Sequence, residues 1–316
     1  MTMGYFRLIH RAFAADSARV LDGTSVTQAD LDNPAAEITV FQQVRQIENV
    51  TALHGPGWVF LRPQMWHAAL HGASTIAVIA APTIGEGLML LPRYGHVRTP
   101  WIRARLHPAG DTMVLTWEVT VPLSEAQWRP MMEVTFLITR AMVQAALGHD
   151  ASALAYAFAA PRPAYAERVH AALGENLRFD APANQVFLPR AWLPVRSIAA
   201  DPQLHRYALA ELEAFRDRLD DPLLLRGRIA RLLQTMPDGR PGADFVARSL
   251  GLSRRSMTRQ LGLAGVRFRD LLEAELRERA IRLKAARLGR DDIAARLGYQ
   301  DPSSFSRAWR RWFGGT

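Results

Sequence analysis

Apolar residues recur at helical spacing near the end of the chain, in DDIAARLGYQDPSSFSRAWRRWFG, residues 291–314. The first apolar stripe ends at Gly298, and a second begins after Asp301 and Pro302, since proline favours a first helical turn. The core-facing residues are predicted to be Ile293, Ala294, Leu297, Phe305, Ala308, Trp309 and Trp312. Serines and arginines occupy the opposite side of the second segment. This pattern is typical of a helix-turn-helix, although any helical hairpin with a solvated basic face produces it as well.

A second copy of the pattern lies upstream, in ADFVARSLGLSRRSMTRQL, residues 243–261. Its glycine, Gly251, lies 47 residues before Gly298 and follows a branched aliphatic residue and an alanine at the same distance. The next core-facing residue comes six positions after the glycine in this copy (Met257) and seven positions after it in the other (Phe305). The second turn is therefore one residue longer. Two copies are too few for a repeat array, and they favour two helix-turn-helix units.

One amphipathic helix is predicted between the copies, over residues 268–286, where leucines and alanines recur at helical spacing. At about 1.5 Å per residue it is roughly 28 Å long, comparable with the roughly 34 Å between successive major grooves on one face of DNA. We interpret it as a spacer. Another helix is predicted over 222–236, before the proline- and glycine-rich break PDGRPG at 237–242. We expect seven helices in residues 222–313.

The basic charge of the chain belongs to the segment that holds these helices. Residues 221–316 contain 20 arginine and lysine residues against 10 aspartate and glutamate residues, whereas residues 1–220 contain 19 against 20. A local excess of positive charge suits a polyanionic partner. Charge and pattern together predict an all-α DNA-binding domain over 221–316, following a separate domain over 1–220.

The last third of the chain resembles the DNA-binding domain of the AraC/XylS family of bacterial transcription regulators. The segments DFVARSLGLSRRSMTRQL and DDIAARLGYQDPSSFSRAWRRWFG carry the resemblance, and the second is close to the family signature. The resemblance implies binding to double-stranded promoter DNA and contact with RNA polymerase. Family members usually continue past the final Phe-Gly with a short Ser-Pro and Tyr-Arg tail. This sequence ends at Gly314, Gly315 and Thr316, and we expect the difference to affect stability more than DNA contact.

Helical periodicity selects the residues that would face DNA, because Met257 and Leu261 in the first unit, and Phe305 and Trp309 in the second, point inward. The residues predicted to contact bases are Arg255, Ser256, Thr258 and Arg259 in the first unit, and Ser303, Ser304, Ser306 and Arg307 in the second. The family resemblance implies base contacts at the same positions. The residues predicted to contact phosphates are Arg254, Arg310 and Arg311. An arginine can bind a guanine edge through two hydrogen bonds, whereas a phosphate contact holds register without reading sequence.

The first 220 residues mix helical and strand patterns, which predicts an α+β domain. Helices are expected over residues 5–20, 35–53 and 127–147, the last ending at Gly148. Strands are expected over 101–107 and 113–119, as a hairpin around 108–111, and over 177–188 around a turn at 182–184.

Residues 82–106 and 177–193, with the acidic helix after Asp201 and Pro202, resemble the arabinose-binding-type N-terminal domain of a subgroup that includes ornithine-utilisation regulators. The resemblance implies a domain that senses a small organic effector, dimerises, or both. Members of the subgroup use it for different effectors or for none known. For a homodimer, the apolar face of 135–147 is one candidate surface, and a role in the core is the alternative.

Enzyme chemistry finds little support in the sequence. His67 and His71 lie four residues apart, but a zinc-peptidase helix has glutamate after the first histidine and this chain has Ala68. We interpret the pair as packing residues. The chain contains no cysteine, no Gly-x-Ser-x-Gly elbow and no glycine-rich phosphate loop. Five tryptophans are interpreted as core residues, although they could line an apolar pocket: Trp58, Trp66, Trp101, Trp117 and Trp128.

These patterns predict a cytoplasmic, sequence-specific transcription regulator without catalytic residues, metal or cofactor. No apolar run reaches the roughly 20 residues that cross a bilayer, and the N-terminus lacks a signal-peptide core. The two recognition helices are expected to occupy successive major grooves. The competing interpretation is a metabolite-binding protein or an enzyme whose basic tail tethers it to nucleic acid.

Overall fold

The chain forms two units, Met1–Asp217 and Arg218–Thr316, in a computed structural model that describes residues 3–67 and 72–314. The first is called the N-terminal unit and the second the C-terminal unit. The division falls in the last turn of a long helix, Pro202–Asp220. Within the described residues, no helix combines the length and the apolar character that a bilayer span requires.

Helices make up most of the described N-terminal unit, and short 3₁₀ turns connect several of them. The α-helices are α1 (Gly4–Ala12), α2 (Ser17–Leu21), α3 (Gln28–Asp32), α4 (Val40–His54), α5 (Ala73–Ile79), α6 (Ile84–Leu88), α7 (Leu90–Arg98), α8 (Glu125–Leu147), α9 (Ala166–Leu173) and α10 (Pro202–Asp220). The 3₁₀ turns are Ala14–Asp16, Trp58–Phe60, Pro63–Trp66 and Arg190–Trp192. Helices α3, α4 and α8 each begin with a capping box, which fixes where the helix starts.

The strands of the N-terminal unit form one mixed sheet in the order β1-β2-β5-β3-β4. They are β1 (Ile102–Ala109), β2 (Thr112–Val119), β3 (Ala155–Ala157), β4 (Leu177–Arg178) and β5 (Asn184–Pro189). The predicted hairpin is confirmed, since β1 and β2 pair throughout and Ala109 lies opposite Thr112. The turn uses Gly110 at φ +60°, a conformation that glycine adopts without a steric penalty. Helices with a largely antiparallel sheet confirm the α+β class.

Residues 177–188 form strands, as predicted, but the strands do not pair with each other. Both β4 and β5 pair with β3, the first in parallel and the second antiparallel. β3 is the three-residue segment Ala155–Ala157, which is too short to give an alternating pattern. The pairing is therefore set by residues distant in sequence.

Two helix predictions need correction. The helix expected over 5–20 is broken into α1, a 3₁₀ turn and α2, because Phe13 leaves helical geometry and packs edge-on against Trp58, with their ring centroids 5.7 Å apart. The helix expected over 35–53 begins only at Val40. Thr39 and Gln42 form its capping box, in which the Thr39 N–H donates to Gln42 Oε1 at 2.9 Å. The helix expected over 127–147 is confirmed as α8.

The core of the N-terminal unit forms around α8. Phe136, Met142 and Val143 on this helix are buried, and the Phe136 ring lies 4.6 Å from that of Phe158. Residues 135–147 were one candidate dimer surface, but their apolar face is in the core. The predicted homodimer would therefore need another surface.

All regular secondary structure in the described residues of the C-terminal unit, 218–314, is helical. Its helices are α11 (Pro222–Thr235), α12 (Ala243–Ser249), α13 (Arg254–Leu263), α14 (Phe268–Ala285), α15 (Arg290–Arg296) and α16 (Pro302–Phe313). The expectation of seven helices over 222–313 is wrong, because six helices form there. The predicted break at 237–242, which contains two prolines and two glycines, forms no helix. α14 is one uninterrupted helix of 18 residues, as expected of the spacer.

Candidate nucleic-acid interface

The two helix-turn-helix segments have the same turn. Gly251 ends α12 at φ +75°, and Gly298 ends α15 at φ +76°. In each turn the glycine N–H donates to the carbonyl three residues earlier, and the next N–H donates to the carbonyl five residues earlier. These bonds satisfy carbonyls that a helix end leaves without partners. The 47-residue repeat seen in the sequence is therefore also a repeat of backbone geometry.

The second helix of each segment begins with a side-chain cap. Ser253 precedes α13, and its Oγ accepts from the Ser256 N–H at 3.1 Å. Asp301 precedes α16, and its carboxylate accepts from the N–H groups of Ser303 and Ser304 at 3.0 and 2.9 Å. Because a carboxylate can accept two N–H bonds and carries a negative charge, the second cap is the stronger one.

The predicted inward faces of these helices are buried. Met257 and Leu261 are buried in α13, together with Gln260, whose Nε2 donates to Asp220 Oδ1 at 2.9 Å. In α16 the buried residues are Phe305, Ala308, Trp309 and Trp312. Burial of one face of each helix leaves the opposite face to solvent.

The four predicted base-contacting residues of α13 lie on its open face. Arg255, Thr258 and Arg259 are exposed, and Ser256 is half-buried. Among the described residues, neither Arg255 nor Arg259 has an ion-pair or hydrogen-bond partner. Their guanidinium groups are therefore free to meet an acceptor outside the chain.

The four predicted base-contacting residues of α16 are also grouped, but one of them is held in place. Ser303 and Arg307 are exposed, and Ser304 and Ser306 are half-buried. The Arg307 guanidinium donates to Ser303 Oγ at 3.2 Å and to Ser304 Oγ at 2.8 Å. These contacts position Arg307 over the first turn of the helix.

The electrostatics of this first turn centre on Asp301. Hydrogen bonds from the Ser304 and Ser303 side chains, and then from their backbone N–H groups, hold the pKa of the Asp301 carboxyl well below its ordinary value. Asp301 is therefore ionised at neutral pH. The Arg307 guanidinium lies 4.0 Å from the carboxylate.

The three predicted phosphate-contacting arginines are all exposed but differ in their partners. Arg254 forms an ion pair with Asp244 at 3.3 Å. Within the described part of the chain, Arg310 makes a single hydrogen bond, a long one of 3.4 Å to the Ser306 carbonyl in its own helix. Arg311 donates from Nε to Glu273 Oε1 on α14 at 3.2 Å. Arg311 thus has a structural contact that its position in the sequence did not indicate.

The spacer helix α14 also holds the unit together, which its amphipathic pattern alone did not indicate. Arg279 is buried on α14, and its Nε donates to Glu275 Oε1 at 3.1 Å. Its other nitrogens donate to the carbonyls of Leu233, Pro237 and Gly239. Arg279 therefore ties α14 to the end of α11 and to the break that follows. The only sequence signal was the i,i+4 spacing of Glu275 and Arg279, which surface helices show as well.

The break at 237–242 packs against the second turn. The Gly239 N–H donates to the Arg296 carbonyl at 2.7 Å, and the Arg240 guanidinium lies 5.2 Å from the centre of the Tyr299 ring. A Cβ on Gly298 would come 2.6 Å from the backbone nitrogen of Arg240. Only glycine fits this turn, because of both its backbone angle and its neighbours.

The N-terminal unit shows no comparable chemical cluster. His67 is exposed and follows the turn Pro63–Trp66 in an extended conformation, while His71 lies outside the described residues. Across the described part of the chain, no three His, Cys, Asp or Glu side chains come together as a metal site. Of the five tryptophans, Trp58, Trp66, Trp101 and Trp117 are buried. Trp128 is half-buried.

The paired turns, the capped second helices and their open polar faces define a helix-turn-helix transcription regulator that binds DNA. Residues 15–196 match the family described as the arabinose-binding domain of AraC transcription regulators, and residues 246–316 match a helix-turn-helix domain family. Because the first match covers more than half of the chain, the protein belongs to the AraC family of transcription regulators.

Individual relatives are also regulators. The chain is 25% identical over 300 residues to the ornithine utilization regulator of Pseudomonas aeruginosa, covering 93% of this chain and 87% of that protein. It is 30% identical over 257 residues to the HTH-type transcriptional regulator VirS of Mycobacterium tuberculosis, covering 76% and 72%. It is similar as well to the crystal structure of the transcriptional regulator CdpR from Pseudomonas aeruginosa, at a TM-score of 0.43 and 22% identity over 88% of this chain and 96% of that one.

Proposed function

We propose that residues 221–316 read an operator by placing α13 and α16 in two successive major grooves on one face of the duplex. The observation that carries the proposal is the repeat of one turn geometry, each copy followed by a helix whose open face is polar and basic. α14 has 18 residues, about 27 Å at 1.5 Å per residue. This length suits a spacer between grooves roughly 34 Å apart.

Base contacts are assigned to the open faces of the two helices. Arg255 and Arg259 are the strongest candidates in α13, because their guanidinium groups are free to bind a guanine edge. Arg307 is the candidate in α16, where Ser303 and Ser304 orient its guanidinium group. The remaining residues assigned to base contacts are Ser256, Thr258 and Ser306.

Phosphate contacts are assigned to Arg254, Arg310 and Arg311. Arg310 is the cleanest of the three to test, because Arg254 and Arg311 also form ion pairs within the unit. Replacing either of those two would disturb the fold as well as the DNA contact.

Residues 1–220 are proposed to sense a small organic effector and to form a homodimer, and the bound protein is proposed to contact RNA polymerase. A dimer would strengthen operator binding, because the second contact becomes intramolecular. The regulator is proposed to work in the cytoplasm, without catalysis, cofactor or metal. The ornithine utilization regulator and VirS are both regulators, which supports this proposal over an enzyme with a basic tether.

Selection of operators from random duplexes, followed by footprinting on the selected site, tests the proposal. We expect a defined consensus and two protected major-groove segments about one helical turn apart on the same face. Binding without any sequence preference would favour a protein whose basic region only tethers it to nucleic acid. A single protected groove would contradict the roles given to the two recognition helices.

A further inference from the structure

A small cavity in the N-terminal unit is lined by polar atoms that have no partner. It has a volume of about 60 Å³, and its lining includes Thr75, Arg98 and Trp117. Among the described residues, Thr75 Oγ1, Arg98 Nε and Trp117 Nε1 are buried and make no hydrogen bond. Thr75 and Trp117 are more than nine-tenths buried. Buried polar atoms in folded proteins are nearly always hydrogen-bonded, so their concentration around one space indicates a ligand.

The unpartnered groups suit a ligand that accepts hydrogen bonds. The nitrogens of Arg98 and Trp117 can only donate, and the Thr75 hydroxyl can donate as well. Two further hydroxyls of the lining, those of Thr135 and Thr139, already donate to carbonyls of their own helix at 2.7 Å. The donors that remain for a ligand are therefore those of Thr75, Arg98 and Trp117.

The positive charge at this cavity is not balanced within the described residues. Arg98 is the only formally charged residue of the lining, and no ion pair joins it to a described carboxylate. Its guanidinium stacks on the Tyr5 ring, 4.5 Å from the ring centre. Burial raises the pKa of the Tyr5 hydroxyl, so this group is neutral at neutral pH and supplies no counter-charge. Water would satisfy the free donors, but an anion would also balance the charge.

Two glycines make room for the guanidinium group. Gly72 has φ +73°, and a Cβ on this residue would come 2.7 Å from Arg98 Nη1. A Cβ on Gly4 would overlap with Arg98 Nη2. Backbone without side chains therefore lies against both terminal nitrogens of Arg98, which confines the charge beside the cavity.

We propose that this cavity binds a monovalent anion of halide or formate size. Arg98 Nε, Trp117 Nε1 and the Thr75 hydroxyl donate to it. The volume sets the size limit, because a cavity of about 150 Å³ holds the six carbons of a benzene ring. By proportion, about 60 Å³ holds about two or three non-hydrogen atoms. The site does not depend on the DNA contacts proposed for residues 221–316.

Thermal unfolding of the full chain at constant ionic strength tests the proposal. Sodium gluconate, which is too large to enter, is replaced stepwise by bromide, formate or benzoate. Bromide and formate should raise the Tm saturably, because a ligand that binds only the folded chain stabilises it. Benzoate should give no saturable rise, because its ring needs a larger space.

An arginine substitution with a matched control assigns the effect to the cavity. Arg98→Gln should abolish the rise with both bromide and formate. Arg103→Gln removes an exposed arginine on β1 and should keep both rises. If the two variants respond alike, the anions bind at exposed arginines and the proposal is overturned.

A second variant keeps the test decisive if Arg98→Gln does not fold. Trp117→Phe keeps an aromatic ring but removes the N–H donor, so the bromide concentration at half of the Tm rise should increase by at least about tenfold. Trp128→Phe is its control, because Trp128 is half-buried and does not line the cavity, and it should leave this concentration unchanged. In crystals soaked in bromide, an anomalous peak is expected between Arg98 Nε and Trp117 Nε1.

The contrary outcomes are also separable from failure of the proposed function. No saturable rise in the natural chain would mean that the cavity holds only water, and this result would overturn the proposal, as would anomalous peaks confined to the surface. Neither result affects sequence-specific binding of the selected operator. Absence of any sequence preference in DNA binding would overturn the proposed function even if bromide binds beside Arg98.

Discussion

The two helix-turn-helix segments of the C-terminal unit share a backbone turn but differ in what supports the helix that follows it. α13 buries Met257 and Leu261 and is fixed by the hydrogen bond from Gln260 to Asp220. Its arginines Arg255 and Arg259 have no partner among the described residues. α16 instead rests on an aromatic cluster, and contacts from its own first turn hold the Arg307 side chain. The geometry of the turn repeats, whereas the contacts that support the following helix do not.

This difference suggests how the two helices read DNA. A free arginine loses more conformational entropy on binding than one that is already positioned. We therefore propose that α16 is the pre-organised reader and α13 the more adaptable one. Three pairs of substitutions test, in the absence of DNA, the contacts on which this comparison depends.

The largest effect is expected at the second turn. Gly298→Ala places a Cβ on a residue with φ +76°, 2.6 Å from the backbone nitrogen of Arg240. The free energy of local unfolding of α15 and α16 should therefore fall by about 2–5 kcal/mol. Gly265→Ala is the control, because its φ is +67° but no atom lies within 4 Å of its Cβ, and about 1–2 kcal/mol is expected. Amide hydrogen exchange localises both effects, and equal protection losses would show that the packed break does not support the turn.

A smaller effect is expected where α16 is fixed to α14. Glu273 Oε1 accepts from Arg311 Nε at 3.2 Å and from Trp312 Nε1 at 3.0 Å. Glu273→Ala removes both bonds and should lower the free energy of opening of α16 by about 1–3 kcal/mol. Glu278→Ala, an exposed position on the same helix, is the control. If both variants exchange alike, Glu273 does not anchor α16.

The smallest effect is expected at the caps. Asp301→Ala should raise the exchange rates of the first amides of α16 more than Ser253→Ala raises those of α13, because Asp301 satisfies two N–H groups. The pKa of Asp301 is lowered in the folded chain. Its contribution is therefore fully present above the ordinary value of 3.8 and is lost as the pH falls through the folded value. A cap effect at α16 that is unchanged below pH 3.8 would contradict this.

Local signals carried most of what the sequence could predict about the C-terminal unit. The glycine at the turn, the Asp301-Pro302 start and the helical spacing of Phe305 and Trp309 all act within one or two turns, so they specify α15 and α16 directly. Local signals also predicted α8 and the β1–β2 hairpin, and the structure confirms both. The residues that form each of them are close together in the sequence.

Contacts between distant residues could not be predicted in this way. The partners of Arg279 and Glu273 on the spacer helix are some 40 residues away in the sequence, so helical spacing alone gave no sign of these contacts. The pairing of β3 with β4 and β5 was missed for a similar reason.

The central claim is that the open faces of α13 and α16 read bases while Arg310 holds a phosphate. The direct test is the ratio of affinities for the selected operator and for random duplex DNA, measured over a range of salt concentrations. Arg259→Ala and Arg307→Ala should lower this ratio, each by about 1–3 kcal/mol. Arg310→Ala should weaken both affinities alike and reduce the salt slope by about one. Arg277→Ala, an exposed change on α14, should leave the ratio unaltered. Equal loss of specific and random binding in the Arg259 and Arg307 variants would contradict the claim.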